Sequence, residues 1–127
     1  MGELFKMAQT PIPMYRGLLV LIVSDDRVKV ENITTKDYGT SMYAHACVIN
    51  FNGKEAHTII LNPNNSGRKL HYGTVCHEIF HAVGGIALNR GIQPDWNNDE
   101  PMAYLCDWIA DFVFSNLKKW NIELKTI

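Results

Sequence analysis

Two histidines one helical turn apart are the residues of this sequence best suited to chemistry. They belong to the segment His77-Glu78-Ile79-Phe80-His81, which lies inside an apolar run that predicts an α-helix. Residues i and i+4 share one face of a helix, so both imidazoles can bind a single ion while Glu78 lies beside it. This arrangement supplies two ligands of a catalytic zinc site.

The third ligand of such a site has to come from outside this helix. A third histidine six residues after His81, as the metzincin proteases have, is excluded because Ala87 occupies that position. A carboxylate from a second helix would instead give two histidines and one glutamate, with a fourth position open for water. Glu100 fits this role, and Asp99 and Asp95 are the alternatives.

The spacing of these residues resembles that of the gluzincin zinc metallopeptidases. The motif at 77–81 is followed by eighteen residues, then by Glu100, with Ala103 three positions further on. The second motif of that family usually reads Asn-Glu-x-x-Ala, and here Asp99 replaces the Asn. The resemblance implies a zincin fold and one Zn²⁺ per chain, bound by the two histidines and Glu100. It also implies hydrolysis of a peptide or amide bond, with Glu78 as general base.

Two supporting roles can be assigned to nearby residues. The larger relatives have a downstream His or Tyr that stabilises the oxyanion, and Tyr104, His71 and Tyr72 are the candidates in this chain. Asp107 could accept a hydrogen bond from the second nitrogen of a ligand histidine, a support that metal-bound imidazoles usually have. The alternative for Asp107 is a solvated stripe that it would share with Asp111.

Composition limits the class of protein. The length of 127 residues fits a single domain, 1–127, and a formal net charge of −1 provides no basic surface for nucleic acid. The apolar run Leu18–Val23 is too short to span a membrane. Cys47, Cys76 and Cys106 have no metal-binding spacing and are predicted to be small buried thiols. These features favour a cytoplasmic protein that acts on a peptide or protein substrate and has no membrane partner.

The first half of the chain predicts two hairpins. A brief helix ending before Pro11 precedes a hairpin of Leu18–Val23 with Val28–Glu31. A second hairpin, of 43–51 with 54–61, turns at Asn52-Gly53, a strong signal for a two-residue type I′ turn. That turn sets the register of the two strands. Phe51 pairs with Lys54, Ile49 with Ala56, Val48 with His57 and His45 with Ile60. His45 and His57 would then project from opposite faces of the sheet.

The second half predicts two helices. The first begins at Gly73 or Thr74 and ends at Gly91, and the second begins near Glu100 with Pro101 in its first turn. The second helix is apolar nearly all round from 102 to 117, so we expect it to be mostly buried. The predicted fold class is α+β: a minimal zincin-like domain with a small, mostly antiparallel sheet packed on the active-site helix and on this second helix.

Two further expectations concern the substrate and the alternative function. The strand Ala56–Leu61 precedes the active-site helix, as the substrate-pairing edge strand does in zincins, and could bind an extended peptide by β-augmentation. The alternative to a peptidase is a non-catalytic zinc-binding domain of the same fold that acts through a protein partner. A di-iron site is excluded because the sequence has no second Glu-x-x-His motif.

Overall fold

Nine elements follow one another in the part of the chain that the computed structural model describes. These residues are 4–13, 15–34, 44–51, 54–63 and 69–126, with side chains for all except residues 27, 34, 44–51 and 69. The elements are β1 (Phe5–Pro11), β2 (Leu18–Ser24), α1 (Arg27–Thr34), β3 (Ala44–Phe51), β4 (Lys54–Leu61), β5 (Lys69–His71), α2 (Tyr72–Asn89), α3 (Glu100–Lys119) and β6 (Glu123–Lys125).

Four strands form the main sheet in the order β1-β2-β4-β3. β1 pairs with β2 and β3 with β4 in antiparallel fashion, whereas β2 and β4 run parallel. The sheet is therefore mostly antiparallel, as predicted. β5 and β6 form a separate parallel pair, which fixes the chain after α3 beside the start of α2.

The predicted register of the second hairpin is confirmed. Phe51 pairs with Lys54 and Val48 with His57, and the pairs at 49/56 and 45/60 also match. The Asn52-Gly53 turn that gave this register lies outside the described residues. Because β4 is paired on both sides, by β2 and by β3, the expectation that Ala56–Leu61 is an edge strand was wrong. The outer position on that side of the sheet belongs to β3.

The sheet separates two apolar layers, and β2 lies between them with all seven residues buried. One face packs against α2 and α3 through a cluster that includes Leu21, Ile59 and Ile86. The other face packs against α1 through Val20, Ile22, Ile60 and the single buried α1 residue described, Val30. The fold therefore has three layers: α1, the sheet, and the α2–α3 pair.

Two predictions for the N-terminal region were wrong. The segment before Pro11 is strand β1, which takes its conformation from pairing with β2. The segment predicted as the strand Val28–Glu31 lies in helix α1, which Asp26 caps by accepting a hydrogen bond from the Lys29 N–H at 3.1 Å. A window of four residues cannot separate a period of 2 from one of 3.6, so the cap was the informative signal.

Helix α2 ends where the sequence predicted. Gly91 has a positive φ of 71°, and the Ile92 N–H donates to the carbonyl of Ala87 at 2.9 Å. This is the hydrogen bond of a Schellman motif, which satisfies a carbonyl that the helix end leaves free. The helix is thus terminated by local chemistry, and Arg90 is held at its C-terminal cap.

Helix α3 is not mostly buried, contrary to prediction. Its buried residues form one stripe with a spacing of four, namely Leu105, Ile109, Val113 and Leu117. The other apolar side chains flank this stripe and are half-buried or exposed. The mixture of helices and strands confirms the α+β class.

Two glycines provide a matched test of this fold. A Cβ at Gly84, inside α2, meets nothing within 4 Å, so we expect Gly84→Ala to stabilise the protein by about 1 kcal/mol through helix propensity. Gly17 has a φ of 96°, and a Cβ there would lie 2.7 Å from the Glu55 carbonyl oxygen. We expect Gly17→Ala to destabilise by about 1–3 kcal/mol. Urea unfolding of both variants measures the two effects, and equal effects would contradict these placements.

Candidate functional site

The two histidines lie on the outward side of α2. The inward side buries Val75, Ile79 and Ile86 against the sheet and α3, which fixes the rotation of the helix about its axis. With that stripe buried, positions 77 and 81 fall on the opposite side, and the His77 side chain is 65% exposed. A ligand from solvent therefore has direct access to both imidazoles.

The imidazoles of His77 and His81 converge. Their Nε2 atoms are 3.1 Å apart and their ring centroids 4.7 Å apart, with the rings inclined at 74°. Two nitrogens that bind one tetrahedral zinc at about 2.05 Å would be about 3.3 Å apart. The observed separation is close to this value. It also suits an N–H···N hydrogen bond, so the separation is compatible with a shared metal ion without requiring one.

Glu78 extends from the same turn toward the protein interior. The residue is buried, with 7% exposure, and its Oε2 lies 3.9 Å from Nε2 of His77. A carboxylate this close to the imidazole pair, yet not between the two ring nitrogens, is placed to exchange a proton with a water molecule bound beside them. The structure therefore brings together three of the predicted site residues: His77, Glu78 and His81.

Glu100 is the exposed first residue of α3. Its position along the helix axis relative to His81 follows from the way α3 packs on α2. The rings of Tyr72 and Phe114 are 6.3 Å apart. The β5–β6 pair likewise holds the chain after α3 beside the start of α2. The two helices are therefore antiparallel. Counting along them at about 1.5 Å per residue puts Glu100 within roughly 8 Å of His81 along the axis.

The carboxylate of Glu100 does not contact the imidazoles in this structure. Within the described residues, no group of three or more His, Cys, Asp or Glu side chains is arranged to hold a metal ion. The donor set observed is thus two imidazoles with a neighbouring carboxylate. Glu100 as third ligand stays a prediction.

The two residues with predicted supporting roles, Asp107 and Tyr104, lie in different surroundings. Asp107 is exposed and roughly level with His77 along the paired helices, but no contact with an imidazole is seen among the described residues. Tyr104 is 68% exposed and lines a groove with Pro13, Tyr15 and Trp108. Tyr104 as an oxyanion donor stays a prediction.

The other two oxyanion candidates lie at the start of α2. His71 occupies the N-cap position, and its Nδ1 is buried without a hydrogen-bond partner among the described residues. The ring of Tyr72 packs against Phe114 of α3. Both precede the histidine pair by at least one turn of helix, and neither forms a contact with it.

His57 is a core residue and not a ligand. It is 2% exposed, and its Nε2 donates a 3.1 Å hydrogen bond to Glu55, whose carboxylate also binds Arg90. Burial lowers the pKa of His57, and the Glu55 hydrogen bond only partly opposes this. The prediction for the His45 side chain lies outside the described residues. No sequence signal revealed the Glu55–Arg90 pair, because its members are 35 positions apart.

The expectation of buried thiols was wrong for two of the three cysteines. Cys76, on α2, and Cys106, on α3, are both exposed free cysteines. Their apolar sequence neighbours led to the prediction, but each lies at the margin of its helix's buried stripe. The side chain of Cys47 lies outside the described residues.

Comparison with known proteins identifies no relative of this chain. No protein-family model, no curated protein and no solved structure matches this chain. The resemblance to gluzincins therefore rests on the sequence motif. Within the described part of the chain, no helix combines the length and apolar character needed to cross a membrane.

Zinc titration tests the imidazole pair directly. We expect the purified protein to bind one zinc ion, and His77→Ala and His81→Ala each to abolish tight binding, because each removes a ligand nitrogen. Cys76→Ala is the matched control, since this exposed thiol precedes His77 and should not contribute. Calorimetry and metal analysis measure the stoichiometry. Equal loss of zinc in the cysteine variant would contradict the assignment of the ligands.

Proposed function

We propose that this chain is a zinc-dependent hydrolase that cleaves a peptide or amide bond, with His77 and His81 as zinc ligands and Glu78 as general base. The observation that carries the proposal is the convergence of the imidazole nitrogens to 3.1 Å, with a buried carboxylate 3.9 Å from one of them. A zinc ion there would lower the pKa of a bound water molecule and polarise the substrate carbonyl.

Glu78 performs the proton transfers in this proposal. Its carboxylate accepts a proton from the attacking water as the water oxygen bonds to the carbonyl carbon. The same carboxyl group then donates that proton to the leaving nitrogen as the C–N bond breaks. The products are a carboxylic acid and an amine, and Glu78 returns to its starting state. Its Oε2 lies 3.9 Å from Nε2 of His77, which would place it beside a water molecule bound at the imidazole pair.

Glu100 is our choice for the third zinc ligand. It is exposed and lies near the level of His81 along the packed helices, and no contact with another described residue holds its carboxylate elsewhere. Asp95 is less suitable, since its carboxylate already accepts a 2.9 Å hydrogen bond from the Asn97 N–H. Asp99 occupies the N-cap of α3 without a side-chain cap bond and is the nearest alternative.

An extended peptide can reach this site along strand β3. In the described sheet β3 is an outer strand, and α2 packs against both β3 and β4. Main-chain groups on the outer side of an edge strand are available for pairing with another chain. We therefore assign to β3 the substrate-pairing role that the sequence had suggested for Ala56–Leu61.

A non-catalytic zinc-binding domain is the second candidate function. The observation in its favour is the apolar surface beside the histidines, where Phe80 is 70% exposed and Leu88 is 81% exposed. Such side chains on the outward face of α2 suit contact with a protein partner. No described residue is assigned as an oxyanion donor, which also suits a domain without activity.

Glu78→Gln separates catalysis from metal binding. We expect this variant to bind zinc as the unmodified protein does and to lose about 10²–10⁴-fold in turnover of a fluorogenic peptide, because the amide cannot accept the water's proton. Phe80→Ala, which alters an exposed neighbour, serves as the control and should retain activity. Unchanged hydrolysis by Glu78→Gln would refute the assigned base. A zinc-loaded protein that cleaves no member of a broad peptide library would support the non-catalytic alternative.

Glu100→Ala tests the third ligand. We expect its zinc affinity to fall by more than about 100-fold, beyond the loss usual for residues that only support a ligand. Asp99→Ala and Asp95→Ala are matched controls in the same loop and should retain the affinity within a few-fold. If Asp99→Ala weakens zinc binding and Glu100→Ala does not, the ligand is Asp99.

A further inference from the structure

A second pocket lies at the other end of α2 from the histidines. It encloses about 550 Å³ between the β1–β2 turn, the start of β4 and the C-terminal cap of α2. This volume is within the usual range for small-molecule sites. Arg90, which lies in its wall, is nine residues beyond His81, or about 13 Å further along the helix direction. The pocket is therefore separate from the proposed zinc site.

Three segments of the chain are tied together to form this pocket. Arg90 donates from its Nη2 to the backbone carbonyl of Arg16 at 2.6 Å and to the Glu55 carboxylate. Gly17 lets the β1–β2 turn approach β4 so closely that a side chain would collide with the Glu55 carbonyl. These contacts hold the walls in place without a ligand, so binding would not have to order them.

In the pocket, the negative charge of Glu55 and the positive charge of Arg90 cancel. Glu55 is paired with Arg90 and also accepts a hydrogen bond from His57. Burial raises the pKa of the Glu55 carboxyl, but the hydrogen bonds from His57 and Arg90, together with the charge of Arg90, bring it below its usual value. The carboxylate is thus ionised and its negative charge is already compensated by the guanidinium.

Two cations at the rim remain without a partner. Arg16 and Lys54 both line the pocket and are exposed, and neither side chain forms an ion pair or hydrogen bond with another described residue. With Glu55 and Arg90 balanced, the pocket has a surplus of two positive charges in a chain whose net charge is −1. Positive charge focused at a concave surface attracts an anion.

The rest of the lining is apolar. Pro11, Tyr15 and Leu18 line the pocket together with the charged residues. An aromatic ring and aliphatic carbons suit the flat, apolar body of a small molecule, and the rim cations suit a single anionic group. We propose that this pocket binds a small molecule that has one carboxylate or phosphate group on a compact apolar body.

Binding can be measured on metal-free protein, which removes any contribution from the histidines. Phenyl phosphate and benzoate are titrated into EDTA-treated ¹⁵N-labelled protein, with benzyl alcohol as the neutral analogue. We expect the Gly17 amide resonance to shift and to saturate with a Kd below about 1 mM for at least one of the anions. Tighter binding of phenyl phosphate identifies a phosphate ligand, and tighter binding of benzoate identifies a carboxylate. Benzyl alcohol should bind at least about 10-fold more weakly.

Variants at the rim test which residues recognise the anion. We expect Arg16→Gln and Lys54→Gln each to weaken binding by about 10-fold, because each removes a charge-assisted hydrogen bond. Both side chains are exposed, so the fold should persist, and the ¹⁵N spectrum verifies this. Lys118→Gln, an exposed lysine on α3, is the control and should bind normally. Failure of both anions to saturate, equal binding of benzyl alcohol, or unchanged affinity in both rim variants would overturn the proposal.

Discussion

The burial of one stripe of α2 is the interaction on which the rest of the structure depends. Val75, Ile79 and Ile86 are excluded from water between the sheet and α3, and fully burying each such side chain contributes about 1.5–3 kcal/mol. That stripe fixes the rotation of the helix. It thereby places the histidines outward, Glu78 toward the protein, and Arg90 at the far end beside the sheet. Both proposed sites are consequences of this one packing arrangement.

The sheet provides the rigid surface that this packing requires. β2 has all seven residues buried and joins the antiparallel pair β1–β2 to the antiparallel pair β3–β4 through its parallel pairing with β4. Because β4 is internal, β3 is the outer strand on its side of the described sheet, and α2 packs against both. The same arrangement brings the turn at Gly17 against β4, and both contribute to the wall of the pocket beside Arg90. The pairing of β2 with β4 therefore contributes to the rigidity of the sheet and also leaves β3 as the candidate strand for pairing with a substrate.

Local chemistry made much of the fold predictable. The Asn52-Gly53 signal gave the register of β3 with β4 residue by residue, and Gly91 gave the end of α2. The parallel pairing of β2 with β4 and the β5–β6 pair had no local signal, because their partners are far apart in sequence. In the site, the spacing of the histidines predicted their convergence. It could not reveal that α3 buries one stripe, namely Leu105, Ile109, Val113 and Leu117, since that depends on which elements pack against the helix.

The central claim is that one zinc ion binds between the imidazoles of His77 and His81. The most direct test is a crystal structure of the zinc-loaded protein, with anomalous diffraction measured at the zinc absorption edge. The account predicts one anomalous peak about 2.0–2.1 Å from both Nε2 atoms, with the Glu100 carboxylate turned onto it as third ligand and Glu78 beside it. A fully loaded crystal with no peak between the imidazoles, or with zinc bound only by other residues, would contradict the account.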